Sequence, residues 1–129
     1  MEKLIIGNLN EKVEKHPQTR GWFLGNFMTF DPDFLSNDLE IKWAHHKKGE
    51  IKVGLFAQEE TKTLTILISG KCVIDFPEKK KKAELSRLGD YVYYDASSSE
   101  HTDYVLEDSL MIVVRWPSRK EQIRDYKGQ

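Results

Sequence analysis

Cysteine is almost missing from this sequence. Cys72 stands alone among 129 residues, which excludes an internal disulfide framework and any zinc site built from several thiolates. A surplus of charge of either sign is missing too. Twenty Lys and Arg face 21 Asp and Glu, for a formal charge of -1, so nothing draws the chain to a nucleic-acid polymer or an anionic membrane surface. The one cationic run, at residues 79–82, is short and reads as a solvated loop. Long hydrophobic runs are also lacking: no window approaches the roughly 18 apolar residues of a membrane helix. The apolar stretch in MEKLIIG is much shorter than a signal-peptide core. The expectation is a soluble, cytoplasmic protein with no membrane partner.

What is present suffices for one core. Hydrophobic residues make up 39% and charged residues 32%, a balance that buries an interior and solvates a surface. Neither a repeat at solenoid spacing nor a Ser/Gly-rich linker divides the chain. One domain is expected over residues 1–129, with its core at about 22–117, an N-terminal extension at 1–21 and a tail at 118–129.

Periodicity makes that domain mostly β. WFLGNFMTF (residues 22–30) suits a buried strand, and DPDFLSND then breaks it. LEIKWAHH (39–46) alternates apolar and polar residues, as a half-buried strand does. IKVGLFA follows, then TLTILIS closing at Gly70, then KCVIDF with Cys72, Ile74 and Phe76 on one face. Gly89-Asp90 marks a tight turn before YVYYDA. SLMIVVRW (109–116) is the last strand, with the polar stretch 97–108 read as its connection. Residues 9–15 are a weak helix candidate, and SRKEQIRDY has the pattern of a short C-terminal helix. Short strands with turn signals every eight to twelve residues or so indicate a sandwich or a small barrel.

Two segments, ETKTLTILISGKCVIDF (60–76) and LSRLGDYVYYDASSSEHTDYVLEDSLMIVVRW (85–116), together resemble the cupin family. A strand ending in Gly, a second strand, a Gly-Asp turn, a strand and a loop carrying His follow one another in the cupin order, with Gly70, Gly89, Asp90 and His101 at matching places. KWAHHKKGE and RWPS are similar to segments of small bacterial single-domain cupins. The resemblance implies an all-β jelly roll, the double-stranded β-helix. It also implies where a metal would be held, and there the sequence departs from the pattern. The first-motif Glu position falls on Thr63, and its two His positions fall on Phe56 and Gln58, or on Ala57 and Glu59 with the shorter spacing. The second-motif His position falls on Glu100, or on His101 with a loop one residue longer. Its Pro and Gly positions fall on Asp95 and Ser97. Adjacent His45 and His46 point to opposite faces of a regular strand, so both reach one ion only across a bulge. With at most one or two ligands left of the roughly four such sites require, no metal and no cofactor are expected.

A barrel without metal still encloses a cavity lined by alternate residues. Thr63, Thr65 and Leu67 share the face of the first motif, with Gln58 leading into it, while Leu64, Ile66 and Ile68 pack against a second layer. Trp43, and His45 with it, are expected in the pocket wall. Tyr91 and Tyr93 share a face on which a flat or sugar-like ligand stacks. Arg115 shares a face with Met111 and Val113 and either caps the barrel end or holds an anion. His101, with Tyr93 as partner, is the candidate acid/base.

The leading expectation is a binding module for a small polar ligand (a metabolite, sugar or nucleotide) that is not converted. The alternative is a metal-independent sugar or nucleotide-sugar isomerase or epimerase using His101 and a Tyr. A second alternative is a degenerate metal-dependent cupin using His101 with His45 or His46. A homodimer is expected because the aromatic segment GWFLGNF wants apolar cover.

Overall fold

A computed structural model describes residues 3–54, 60–95 and 100–120. Among them, seven strands pair antiparallel throughout: β1 (Trp22–Leu24), β2 (Glu40–His46), β3 (Ile51–Gly54), β4 (Lys62–Phe76), β5 (Lys81–Leu85), β6 (Tyr91–Asp95) and β7 (His101–Trp116). One α-helix among the described residues, α1 (Leu9–Lys15), precedes them. Asn8 caps it by accepting a hydrogen bond from the Glu11 N–H at 3.1 Å.

β4 and β7 are long enough to belong to two sheets. The first half of β4 pairs with β6 and with residues 110–116 of β7, and the same end of β7 pairs with β2. The second half of β4 pairs with β5 and with residues 102–107 of β7, whose beginning pairs with β3. The result is a jelly roll: β1-β2-β7-β4-β6 on one side and β3-β7-β4-β5 on the other.

The register of β4 shifts between Leu67 and Cys72. A bulged strand of this kind changes which residues face in, so Thr63, Thr65 and Leu67 point inward before the shift and Cys72, Ile74 and Phe76 after it. Gly70 sits at the bend with φ 94°, and a Cβ there would collide with the Asp108 carbonyl and Ser109. Glycine alone fits this crossing. The apolar core lies between the halves, where Leu67, Cys72, Ile74, Leu85, Val105 and Met111 are nearly or fully closed to solvent.

Four expectations from the sequence need correction. The aromatic strand at 22–30 ends at Leu24, because Gly25 turns the chain at φ 155°. TLTILIS and KCVIDF are one strand with a bend in it. The cationic run at 79–82 is half loop and half strand, since Lys81 and Lys82 open β5. The polar stretch before residue 109 is strand from His101 onward, for its inward residues His101 and Asp103 are polar and conceal the usual alternation. Residues 121–126 of the expected C-terminal helix (118–126) lie outside the described residues, and 118–120 are not helical.

Candidate functional site

In the first sheet the ordinary rule of apolar inside and polar outside is reversed. β2 buries Glu40, Lys42, Ala44 and His46, and leaves Ile41, Trp43 and His45 on its outer face. β6 buries Tyr94 and half-buries Val92, whereas Tyr91 and Tyr93 are 67% and 48% exposed. Leu64, Ile66 and Ile68 are half-buried on the outer face of β4. The barrel therefore has a polar end wall, and its sheet has an apolar back.

The expected site residues divide accordingly. Thr63 and Thr65 face inward and are buried, and His101 and Arg115 are inward and largely covered. Trp43 and His45 are a correction: they do line a cleft, but on the α1 side of β2 and not in the barrel. Both face outward, where the Trp43 Nε1–H donates to Asn10 Oδ1 at 2.7 Å and His45 Nε2 lies 2.7 Å from the same oxygen. Tyr91 and Tyr93 are a second correction, since strand alternation turns them away from the barrel and brings Tyr94 in. Gln58, like Phe56, lies outside the described residues. Sequence reasoning missed Glu40, Lys42, Tyr94 and Asp103, and offered His46 only as an alternative metal ligand. The signal was the alternation of EIKWAHH and YVYYD, read with the wrong face inward.

His101 is the centre of the inner cluster. β7 places it beside Gly54 of β3, whose missing Cβ leaves the room that the imidazole occupies. The ring packs at a tilt against Tyr94 and Phe76, with centroids 4.9 and 5.7 Å away. Its Nε2 lies 3.4 Å from the Tyr94 hydroxyl and 3.7 Å from Asp103 Oδ1. Glu100, the other candidate for this motif position, is exposed.

Burial raises the Asp103 carboxyl above its ordinary value, against the opposing pull of His101 and more distant Lys52, His46 and Lys42. Its Oδ1 is closed to solvent and accepts no hydrogen bond. Burial likewise pushes the Tyr94 phenol up to about 12, with Thr63 as a hydrogen-bonding neighbour. Tyr94 is thus a neutral donor across the physiological range.

Arg115 belongs to a separate network that closes one end of the barrel. Its guanidinium lies 3.5 Å from the carboxylate of fully buried Glu40 and 5.1 Å from the Trp22 ring centroid. Ser118 Oγ donates to Glu40 Oε1 at 2.8 Å and accepts from Asn26 N and Nδ2 at 2.9 and 2.6 Å. This chain of bonds ties the segment after β1 to the end of β7, with Arg115 paired to Glu40 beside it.

No protein-family model matches the chain, and no curated protein does. Solved structures do. KdgF from Halomonas sp. aligns over 67% of this chain and 74% of its own, with a TM-score of 0.55 and 23% identity. Ectoine synthase from P. lautus aligns over 88% and 78%, with a TM-score of 0.62 and 16% identity. A cupin-2 domain containing protein from Shewanella frigidimarina aligns over 87% and 94%, with a TM-score of 0.52 and 16% identity. The fold is that of the cupins.

Within the cupin barrel, Thr63 and His101 occupy two of the positions where the sequence resemblance implies metal ligands. A threonine hydroxyl is a poor replacement for a carboxylate ligand. Among the described residues no group of three His, Cys, Asp or Glu side chains is arranged to hold an ion. The described donor set does not fit a metal centre. The polar groups there are the Tyr94 hydroxyl, the Asp103 carboxyl and the His101 imidazole, with the Phe76 ring beside them.

Proposed function

We propose that this cupin binds a small polar ligand in the barrel between Thr63, Tyr94, His101 and Asp103 and releases it unchanged. The observation that carries the reading is Asp103 Oδ1, an acceptor enclosed in the barrel without a hydrogen-bond donor. A buried acceptor left unpaired costs about 1–3 kcal/mol, and a ligand hydroxyl or amine removes that cost on binding. Tyr94 supports holding over turnover, since a phenol pushed up to about 12 donates a hydrogen bond and does not serve as a base.

The test is a thermal-shift screen of metabolites, nucleotides and sugar phosphates, with each binder recovered and weighed by mass spectrometry. A binder recovered unchanged, and weakened about tenfold or more by Asp103→Asn, is the expected result. A converted product, or binding indifferent to Asp103→Asn, overturns it.

One observation favours the isomerase or epimerase reading as the second choice: the Tyr94 phenol and the Asp103 carboxyl lie 3.4 and 3.7 Å from the same His101 Nε2. Its acid/base partner is then Tyr94, since Tyr93 is on the outer face. Under that reading His101→Asn abolishes conversion and spares binding.

The proposal includes a homodimer, on different grounds from those the sequence offered. GWFLGNF finds its cover within the chain, where Phe23 meets Phe34 at 6.4 Å and Trp22 meets Phe27 at 6.2 Å. The apolar back of the first sheet takes its place. Cross-strand register aligns Trp43, Ile112, Ile66 and Tyr91 in one row and Ile41, Val114, Leu64 and Tyr93 in the next. A second copy of this same face, whose next row adds the opposite charges Lys62 and Asp95 beside Trp116, is a fitting cover. A monomer by light scattering refutes the pairing. The compartment proposed remains the reducing cytoplasm, on the argument from the lone cysteine.

A further inference from the structure

Residues 3–8, in front of α1, belong to neither sheet. Leu4, Ile5 and Ile6 are 83%, 51% and 86% exposed, and three apolar side chains in a row are a defect on a surface unless something covers them. The segment is held only at its ends. The Lys3 ammonium donates to Asp33 Oδ2 at 2.8 Å, and Asn8, in extended conformation, caps α1. Between these anchors Gly7 has no neighbour within 4 Å of where a Cβ would stand. Leucine and isoleucine in an extended stretch are strand formers without a strand to pair with.

The barrel has the complementary want. Among the described residues β1, β3, β5 and β6 each pair with a strand on one side only. Such edges recruit further strands unless they are short, irregular or charged. β1 has three residues and a shifted register. β3 carries Lys52, and β5 carries Lys81, Lys82 and Glu84. β6 has none of these protections, since Tyr91, Val92, Tyr93 and Tyr94 run without a charge up to Asp95. Its outward Tyr91 and Tyr93 are also the most exposed aromatic or aliphatic side chains on the back of the first sheet.

The two features stand at opposite sides of that sheet. The order β1-β2-β7-β4-β6 puts β6 at one edge, whereas Asn10 of α1 touches Trp43 and His45 of β2 towards the other. Two copies packed back to back about an axis parallel to the strands reverse this order in the partner. The β2 side of one copy then lies over the β6 edge of the other, and the relation is reciprocal.

We infer that residues 4–6 of each copy run along the β6 edge of a second copy as an added strand and cover its Tyr91 and Tyr93. Main-chain hydrogen bonds to the open edge supply affinity, and Leu4 and Ile6, on one face of an extended segment, match the spacing of the two tyrosines. The inference deepens the back-to-back pairing proposed above and rests on it.

The experiment is sedimentation equilibrium of the full chain over a dilution series, joined to hydrogen exchange at the β6 amides. The parent is expected to dimerise. The double variant Leu4→Asp/Ile6→Asp is expected to weaken the dimer about a hundredfold, because two apolar side chains per copy lose their cover. Both side chains are exposed in the single chain, so the variant folds as the parent does, which circular dichroism checks. Val53→Asp, at a 65% exposed position of the second sheet, leaves the affinity unchanged. The β6 amides are expected to exchange slowly in the parent dimer and faster in the double variant. Equal dimer affinity in the double variant and the parent overturns the inference and leaves the back-to-back pairing standing. A weakened dimer whose β6 amides exchange as in the parent places the segment elsewhere and overturns it equally. A monomeric parent overturns the pairing itself, and the inference with it.

Discussion

Replacing Glu40 by Gln should destabilise the fold by about 3 kcal/mol, a figure that follows from three contacts. Glu40 is fully buried on β2, directly across from Arg115 in the register, with 3.5 Å between the charged groups. At an effective dielectric near 20, a pair at that distance attracts by about 4–5 kcal/mol. Removing one partner of a buried pair typically costs about 3–5 kcal/mol. The glutamine carbonyl still accepts the Ser118 hydroxyl, so that 2.8 Å bond survives. Arg115 keeps its place over Trp22 and recovers some hydration through its 16% exposed side chain, which puts the loss at the lower end. For a chain of this length the change corresponds to a fall of about 10 °C in Tm. Urea unfolding followed by circular dichroism measures it, and a cycle with Arg115→Met isolates the pair, for which a coupling of about 2 kcal/mol or more is expected. A loss below about 0.5 kcal/mol in Glu40→Gln refutes the reasoning. It would place the Arg115 charge effectively in water and make the residue a candidate anion holder instead of a cap.

Cys72 is fully buried, and burial pushes its thiol up to about 12. It should resist iodoacetamide in the folded protein and react once urea unfolds it; rapid native labelling contradicts the placement. Burial, reinforced by the Lys42 charge and opposed by the Glu50 hydrogen bond, holds His46 below its ordinary 6.5. A group whose value is lower folded than unfolded favours folding while neutral, so its contribution is present above pH 6.5 and lost as pH falls through the folded value. Urea midpoints should decline on acidification in the parent and decline less in His46→Gln. Gly54→Ala should displace the His101 ring, because the new methyl lands on the imidazole. The His101 resonance shifts in NMR and stability falls by about 1–3 kcal/mol as the packed ring gives way; an unmoved resonance contradicts the packing.

Much of the fold was legible because its signals are local. The alternation of EIKWAHH, the shared face of Cys72, Ile74 and Phe76, and the Gly89-Asp90 turn all appear as read. In that turn Asp90 Oδ2 accepts from the backbone N–H groups of Ser86 and Arg87 at 3.0 and 2.9 Å. The site was less legible. Trp43 looks like barrel lining and Lys42 like surface, yet Lys42 is the one buried on the inner face, and Trp43 lines a cleft outside the barrel. Tyr94, which carries the inner hydroxyl, stands one residue beyond Tyr93, and one residue is the whole difference between the two faces of a strand.

From the sequence alone came a near-neutral single chain, its strand order, its turns and the places where metal ligands are missing. Each of these is a property of neighbouring residues or of composition. The tertiary structure alone decided which face of each strand looks inward, how the shift between Leu67 and Cys72 exchanges those faces along β4, and that His101 meets Tyr94 and Asp103. Period-two alternation separates a strand into two faces but does not say which one is inside. That choice is made by the opposing sheet, and in a barrel built to hold a polar interior it runs against hydrophobicity.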